Sequence, residues 1–217
     1  MQDQDLQSIA NQLSCPEGDA GIDIGNKMNV LNQIITSQTI EKLSPQKGES
    51  IIEIGPGNGS LSLPILENLG RNGHYLGIEM SEVMAEELQR NLAGNHCTTK
   101  VVYGDCLEVQ LKNESIDGVI GVNLLYFIKD LSIFFKHIFK WLKPGGRVAF
   151  GIRSDKSLKQ LPFTQFKFHI RTTAEIKSLM KDAGFNAVES SFFDKEMVPF
   201  GDTTIQADSV IITGKKS

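Results

Sequence analysis

The sequence predicts an α/β protein whose mainly parallel sheet carries helices on both faces. Short apolar runs alternate with amphipathic stretches over most of the chain. A glycine-rich turn follows the first of these runs directly, and the last two runs have no helical pattern between them. Strands that alternate with helices imply right-handed crossover connections, and these produce a parallel sheet covered by helices on both sides.

Five short apolar runs are typical of buried strands, and they lie at 50–54, 74–79, 100–103, 116–122 and 147–152. The stretches between them repeat their apolar residues at helical spacing, which predicts helices over 60–70, 81–93 and 130–142. A further helix is predicted over 172–183, where Ala183 and Gly184 end it.

The C-terminal end of the chain departs from this alternation. Apolar runs at 187–194 and 208–213 are separated by a loop and not by a helical pattern. Two successive strands without a crossover helix pair antiparallel. The sequence therefore predicts an antiparallel hairpin at the edge of the parallel sheet.

The N-terminal end predicts a flexible arm and then a helix. Residues 1–26 are polar and contain Pro16 and three glycines. From Lys27 to Leu43 apolar residues recur at helical spacing, and the turn at 44–48 ends that helix. We therefore expect a flexible arm at 1–26 and a single domain at 27–217.

Composition and charge exclude several classes of function. The 22 basic and 26 acidic residues give a net charge of -4, so a broad nucleic-acid interface is not expected. The three cysteines, Cys15, Cys97 and Cys106, have no metal-ligand spacing, which favours a reducing compartment and no bound metal. The N-terminus lacks the features of a secretory leader, and the most apolar stretch, Val119–Ile128, is too short to cross a bilayer. The expected location is the cytoplasm, with no membrane partner.

The turn after the first predicted strand has the composition of a ligand site. Gly55, Gly57 and Gly59 alternate with Pro56 and Asn58. Glycine permits a positive φ and lets a ligand approach the backbone closely. A helix that begins near Gly59 would also offer free N–H groups to a polar ligand beyond the carboxyl ends of the strands. The alternative is a plain tight turn between strand and helix.

The spacing of the glycines differs from the dinucleotide fingerprint G-x-G-x-x-G, because the third glycine comes one position early. With Glu53, the segment instead reads E-x-G-x-G-x-G. Glu79 closes the second strand, Gly104-Asp105 follows the third, and Lys143-Pro144-Gly145-Gly146 precedes the fifth. In this order the motifs resemble those of the class I S-adenosylmethionine-dependent methyltransferases. That resemblance implies a Rossmann-like, doubly wound, seven-stranded sheet with an antiparallel strand near the C-terminus.

The resemblance also implies a cofactor, S-adenosyl-L-methionine, which becomes S-adenosyl-L-homocysteine. It assigns cofactor binding to Glu53, Gly55, Gly57, Asn58, Gly59, Glu79, Met80, Asp105, Cys106 and Asn123. Glu79 corresponds to the acceptor for the ribose hydroxyls, and Asp105 to the residue beside the adenine amino group. Each has an alternative as a solvated carboxylate, Glu79 as the cap of the helix at Ser81. By the same resemblance, Glu53 steadies either the methionine amine or the turn itself. The alternative for Cys106 is a small side chain that only fills space.

The reacting groups are expected after the fourth strand and in a basic, aromatic segment at 153–171, which has the character of a lid. By resemblance, Asn123 and Tyr126 face the methyl group, and His169 is the candidate base. Amino-group methyltransferases of nucleic acids carry [DN]-P-P-[YF] here, whereas this chain has Leu124-Leu125 in the middle. A small-molecule acceptor is therefore expected. The basic side chains of 153–171 suit an acidic acceptor molecule. The alternative is that they are surface residues solvated by water.

Methyl transfer to a small molecule is thus the predicted function, and two alternatives remain. One is a nicotinamide-dependent oxidoreductase, which the glycine spacing disfavours. The other is a module that binds S-adenosylmethionine without catalysis, because no unmistakable base stands in the sequence. In the helix at 27–43, Met28 and Asn29 resemble the family's N-terminal cover over the cofactor, with ordinary amphipathic packing as the alternative for Met28.

Overall fold

Strands and helices alternate along the chain, of which a computed structural model describes the backbone of residues 2–200 and 203–217. Side chains are described within these ranges except at 195, 196, 198–200 and 203–205. The strands are β1 (Ser50–Ile54), β2 (His74–Glu79), β3 (Thr98–Tyr103), β4 (Ile116–Val122), β5 (Leu142–Ile152), β6 (Asn186–Phe200) and β7 (Thr203–Lys215). The helices are α1 (Asp3–Ser14), α2 (Gly18–Leu43), α3 (Leu63–Leu69), α4 (Glu82–Leu92), α5 (Leu131–Trp141), α6 (Asp155–Leu158) and α7 (Thr173–Asp182), with a 3-10 helix at Pro162–Gln165.

The seven strands form one sheet in the order β3-β2-β1-β4-β5-β7-β6. Strands β1 to β5 run parallel, and β7 pairs antiparallel with both β5 and β6. The predicted fold class is therefore confirmed, including the antiparallel strand near the C-terminus. The hairpin forms as expected, with β7 placed inside the sheet and β6 at its edge.

Strand β5 begins earlier than predicted. The segment Lys143–Gly146 was expected as a turn before the strand, but it lies within β5. The register of β5 against β4 shifts between Ile116 and Gly118, and Gly145 has a φ of 81°. Hydrogen bonds with Lys216 pair this stretch with the C-terminal end of the chain.

Apolar residues fill the space on both faces of the sheet. On one face, α5 and α7 contribute buried side chains such as Phe134, Trp141 and Met180. On the other face, α2, α3 and α4 contribute residues such as Leu43 and Leu88. This two-sided packing explains why β1 and β4 are apolar along nearly their whole length.

The prediction of a flexible arm at 1–26 is wrong, because the structure places two helices there. Helix α1 begins with a capping box between Gln2 and Asp5 and packs against the 3-10 helix. Helix α2 begins at Gly18, nine residues before the predicted start, and ends at Leu43 as predicted. A Cβ at Gly25 would lie 2.7 Å from the Met84 sulfur, so glycine here allows α2 to approach α4 closely.

Candidate functional site

The sequence-predicted cofactor residues meet at one edge of the sheet. The order β3-β2-β1-β4 makes the carboxyl ends of these four parallel strands neighbours. The glycine turn follows β1, Glu79 ends β2, Asp105 follows β3 and Asn123 follows β4. This is the edge at which open α/β sheets bind their ligands.

Two glycines of the turn leave their backbone accessible. Gly55 and Gly57 have φ values of 68° and 59°, a region that glycine adopts without strain. A Cβ added at Gly57 would meet nothing within 4 Å, and one at Gly55 would only touch Leu124 at 3.9 Å. The turn thus presents bare backbone where a ligand would lie.

The third glycine of the turn has a different explanation. A Cβ at Gly59 would collide with Leu88, so glycine here lets the turn pack against α4. A direct role for Gly59 in ligand binding stays a prediction. The expected helix start near Gly59 is wrong, because α3 begins at Leu63, and Gly59, with a φ of 77°, cannot continue a helix.

Glu79 is buried and already holds part of the turn. Its Oε2 accepts from the Gly57 N–H and its Oε1 from the Ser81 N–H, both at 2.9 Å. The side chain is 6% exposed, so the alternative of a solvated carboxylate is wrong, although the contact with Ser81 is present. Burial raises the pKa of the Glu79 carboxyl, and the backbone N–H groups only partly offset this. With backbone hydrogen bonds from Gly57, Met80 and Ser81, the carboxylate keeps capacity for a further donor.

Glu53 lies deeper, under the turn. The Tyr75 hydroxyl donates to Glu53 Oε2 at 2.7 Å and lies 3.2 Å from Ser62 Oγ. Burial raises the pKa of the Glu53 carboxyl, which is 4% exposed. A purely structural role for Glu53 was expected to involve N–H groups of the turn, but the carboxyl bonds the side chains of Ser62 and Tyr75. The sequence signal for the contact with Tyr75 was a tyrosine in a buried strand, whose hydroxyl needs a hydrogen-bond partner.

The adenine side of the predicted site contains Asp105, Cys106 and Met80. Asp105 Oδ1 accepts from the Leu107 N–H at 2.9 Å, and the carboxylate also forms a hydrogen bond with the Cys106 thiol. Cys106 is buried in the apolar core, and burial raises the pKa of its thiol to about 12. Met80 is half exposed, and its carbonyl lies 3.8 Å from the Cys15 sulfur. Their contacts with a cofactor stay predictions.

Asn123 follows β4 with a φ of 55°. Its backbone N–H donates to the Gly151 carbonyl at 2.8 Å, and its Nδ2 donates to Asn32 Oδ1 at 2.8 Å. Its Oδ1 is buried and has no hydrogen-bond partner among the described residues. The amide is therefore held by its nitrogen, with its oxygen still able to accept.

Helix α2 contributes a row of amides that sequence reasoning largely missed. We call Asn26, Asn29 and Asn32 the asparagine row. Asn29 Nδ2 donates to Asn58 Oδ1 at 3.1 Å, and Asn58 Nδ2 donates to Asn26 Oδ1 at 3.2 Å. Asn32 binds Asn123, so the row spans from the glycine turn to the end of β4. Its signal was the spacing of three residues, which puts side chains on one helix face.

The link between α1 and α2 closes over the end of β2. Ser81 Oγ donates to the Pro16 carbonyl, and a Cβ at Gly21 would lie 3.3 Å from Val83. The first half of α2 is therefore seated on the start of α4, next to Glu79. This is where the predicted ribose subsite lies.

Tyr126 and the 153–171 segment meet beyond Asn123. The Tyr126 ring stacks on Phe168 with centroids 5.1 Å apart, and the His169 N–H donates to the Tyr126 carbonyl at 2.7 Å. Tyr126 is 8% exposed, and burial raises the pKa of its hydroxyl although Arg153 opposes this. A small cavity is lined by Tyr126, His169 and the two arginines Arg153 and Arg171.

The arginines of this segment support its backbone. Arg153 donates to the carbonyls of Leu31 and Asp208, and Arg171 to those of Ile128 and Lys129. Arg153 thereby links the end of β5 to α2 and β7. These bonds give both residues a role in the fold, so binding of an acidic acceptor by this segment stays a prediction.

The described residues hold no cluster of three or more histidine, cysteine or carboxylate side chains that would fit a metal ion, and none of their helices is long and apolar enough to span a membrane.

Comparison with known proteins relates the chain to methyltransferases. Residues 51–146 match the family model of a methyltransferase domain. Over 162 residues the chain is 26% identical to phosphoethanolamine N-methyltransferase 1 of Arabidopsis thaliana, covering 70% of this chain and 32% of that protein. Over 160 residues it is 27% identical to the demethylmenaquinone methyltransferase of Oceanobacillus iheyensis, covering 67% and 66%.

A solved structure shares the fold. Phosphoethanolamine N-methyltransferase 2 of Haemonchus contortus, in complex with phosphomonomethylethanolamine and S-adenosylhomocysteine, superposes with a TM-score of 0.65 and 16% identity. The match covers 83% of this chain and 52% of that one. The chain spans about a third of the length of the plant phosphoethanolamine N-methyltransferases that it matches.

Proposed function

We propose that the chain, whose residues 51–146 match a methyltransferase domain, is a class I S-adenosylmethionine-dependent methyltransferase. It would bind this cofactor at the carboxyl edge of β1–β4 and transfer its methyl group to a small molecule. The bound cofactor supplies an electrophilic methyl group on a sulfonium. The chain's own residues then have to hold the cofactor, exclude water and orient the acceptor.

The observation that carries this proposal is a pair of buried carboxylates beside bare glycine backbone. Glu53 and Glu79 both lie within the turn region, and burial raises the pKa of each. A nearby positive charge favours the ionised form of a carboxyl group. S-adenosylmethionine carries a sulfonium and an ammonium group, so its positive charge would stabilise ionised carboxylates at this edge. Glu79 also has free lone pairs for a ribose diol.

A small-molecule acceptor is supported by how closely α2 and the 153–171 segment approach the end of β4. Asn32 of α2 contacts Asn123 directly, and Phe168 of the 153–171 segment stacks on Tyr126. We infer that 153–171 acts as one wall of the acceptor site within a single catalytic domain. The related proteins act on small molecules as different as phosphoethanolamine and demethylmenaquinone, which fits a wall that varies between relatives.

Ligand-induced stabilisation tests the cofactor part of the proposal. S-adenosylmethionine and S-adenosylhomocysteine should raise the melting temperature in a dose-dependent way, because a ligand that binds only the folded state stabilises it. NAD at the same concentrations is the matched control. A comparable shift with NAD and none with the two sulfur compounds would contradict the proposal. Binding of S-adenosylhomocysteine without any labelled methyl product would favour a non-catalytic module.

A further inference from the structure

Glu53 is a buried carboxyl group without a positively charged partner. Its side chain is 4% exposed and bonds the hydroxyls of Tyr75 and Ser62. In the part of the chain that the structure describes, no lysine, arginine or histidine forms an ion pair with Glu53 or with its neighbour Glu79. An isolated buried charge is costly, so such a group neutralises by taking up a proton.

The other charges on the elements around Glu53 lie in solvent or are paired. Charged residues of α2, α3 and α4 are exposed, apart from Glu87, which pairs with an arginine of its own helix. In the neighbouring strands, Asp117 of β4 pairs with Lys143, and His74 at the start of β2 is exposed. The pocket of Glu53 therefore has no counter-charge among the described residues.

Glu53 and Glu79 differ in the donors that hold them. Glu79 accepts from three backbone N–H groups, which can only donate and so favour its ionised form. The hydroxyls of Tyr75 and Ser62 can donate or accept, so the pocket of Glu53 satisfies a neutral carboxyl group as well as a carboxylate. Where two carboxyl groups share a site, different surroundings decide which one keeps a proton. Here that group is Glu53.

Glu53 responds to charge placed at the glycine turn. Burial is the main reason that the pKa of Glu53 is raised, and the negative charge of Glu79 adds to it. Glu79 itself bonds the Gly57 N–H, so this charge lies at the turn where the ligand is expected. A positive charge beside the same turn acts in the opposite direction and favours the carboxylate.

Resting on the proposed function, we propose that Glu53 is neutral in the unliganded chain and releases its proton to solvent when S-adenosylmethionine binds. The O–H bond of the carboxyl group breaks, and its electron pair stays on the oxygen. The carboxylate then becomes the counter-charge of the cofactor. Linkage is reciprocal, so a rise in pH that favours the carboxylate also tightens binding of the cofactor.

The same charge distinguishes the cofactor from its product. S-adenosylhomocysteine keeps the ammonium group but has lost the sulfonium charge. It therefore gains less from an ionised Glu53 than S-adenosylmethionine does. Glu53 is thus a specificity-determining residue, through which the preference for the fresh cofactor over the spent one increases with pH.

Titration calorimetry in buffers that differ in ionisation enthalpy counts the protons released. The series runs from about pH 5 to 7, where both ligands keep their ammonium group because an α-amino group titrates near 8. We expect release of up to about one proton and a fall in the Kd of S-adenosylmethionine of at least about threefold across the series. S-adenosylhomocysteine should show the smaller fall.

The outcomes separate this proposal from the proposed function. No binding of either ligand at any pH would refute the proposed function itself. Binding without proton release would overturn only the role of Glu53. An equal dependence on pH for both ligands would overturn its role in distinguishing the cofactor from the product.

Glu53→Gln should abolish the proton release and make the affinity for S-adenosylmethionine independent of pH over this range, because an amide does not titrate. Glu82→Gln changes an exposed carboxylate at the start of α4 and is the matched control, which should keep both properties. Circular dichroism checks folding. Proton release that persists in folded Glu53→Gln would belong to another group and overturn the assignment.

Infrared difference spectroscopy of the parent chain makes the test independent of how the variant folds. Binding of S-adenosylmethionine should remove the C=O band of a protonated carboxyl group and add the bands of a carboxylate. Glu82→Gln should give the same difference spectrum as the parent. A spectrum without loss of a carboxyl band would contradict the proposal.

Tyr75→Phe supplies a readout that a merely structural role would not move. The Tyr75 hydroxyl donates to Glu53 Oε2 and so favours the carboxylate. Without this hydroxyl, the pH range over which binding releases a proton should shift upward. An unshifted range in a folded Tyr75→Phe chain would show that the released proton does not come from Glu53.

Discussion

The N–H of Gly57 donates to Glu79 Oε2 at 2.9 Å and so joins the glycine turn after β1 to the end of β2. One buried carboxylate thus organises the turn and, with its remaining lone pairs, faces the predicted ribose subsite. The two roles lead to the first prediction.

Glu79→Ala should weaken S-adenosylhomocysteine binding by roughly 2–3 kcal/mol, because it removes hydrogen bonds to a charged acceptor. Titration calorimetry measures this loss. Glu82→Ala changes an exposed carboxylate three residues away and is the matched control. A loss under about tenfold in Glu79→Ala would mean that Glu79 only supports the turn.

Gly57→Val should abolish cofactor binding in a chain that still folds. The added methyl groups would enter the open space beside the turn. Gly48→Val is a control for backbone strain, because Gly48 also has a positive φ and open space around its Cβ position, but precedes β1. Circular dichroism checks folding, and calorimetry checks binding. Normal affinity in folded Gly57→Val would place the ligand elsewhere.

The contribution of Glu53 to the stability of the ligand-free protein should fall as pH rises from the acidic side. Burial raises the folded-state pKa of Glu53 above its ordinary value of 4.5, so the folded state keeps this proton at a pH where the unfolded chain has lost it. Stability from this group is therefore full below about pH 4.5 and is lost as pH rises through the folded-state pKa. The same sign applies to Glu79.

Glu53→Gln should flatten this pH dependence, because a neutral side chain cannot titrate. Urea unfolding of parent and variant at several pH values between about 4 and 8 measures the difference in the free energy of unfolding. Parallel curves for the two proteins would show that the pKa of Glu53 is the same in the folded and unfolded states.

Asn29→Ala should speed the dissociation of S-adenosylhomocysteine by about fivefold, since the lost hydrogen bond to Asn58 contributes about 1 kcal/mol to closure of α2. Gln33→Ala changes an exposed amide on the same helix and should leave the rate unchanged. Stopped-flow displacement gives both rates. Equal rates would show that the asparagine row does not hold α2 over the cofactor.

Tyr126 should be changed to phenylalanine and not to alanine, because its ring stacks on Phe168. We expect Tyr126→Phe and His169→Ala to keep the affinity for S-adenosylhomocysteine within a few-fold. Turnover should fall at least tenfold in one of them, with Tyr126 the stronger candidate, a loss of about 1.4 kcal/mol in transition-state stabilisation. Normal turnover in both variants would move the acceptor site toward α2.

The edge of the sheet that contains Glu79, Asp105 and Asn123 was predictable from the sequence. Each of these residues lies at the end of an apolar run or within two residues of it, and the carboxyl ends of parallel strands meet at one edge. Asn26, Asn32 and Tyr75 were not placed in the site, because their roles depend on partners distant in sequence. Asn123 lies 91 residues from Asn32, and Glu53 lies 22 residues from Tyr75.

The N-terminal helices were missed for a related reason. Glycines at 18, 21 and 25 favour a loop when only local propensity is considered. In the structure Gly25 lets α2 lie close against α4, and Gly21 leaves room for Pro16 and Val83; these contacts offset the poor propensity. The close approach depends on Val83 and Met84, which no local pattern in the arm reveals.

The asparagine row has a consequence for the conditions under which α2 closes. Its contacts with Asn58 and Asn123 join neutral amides, none of which titrates. A cover held by ion pairs would loosen as added salt shortens the Debye length from about 10 Å at 0.1 M to about 3 Å at 1 M. The hydrogen bonds from this row to Asn58 and Asn123 should therefore be equally strong in dilute buffer and in concentrated salt.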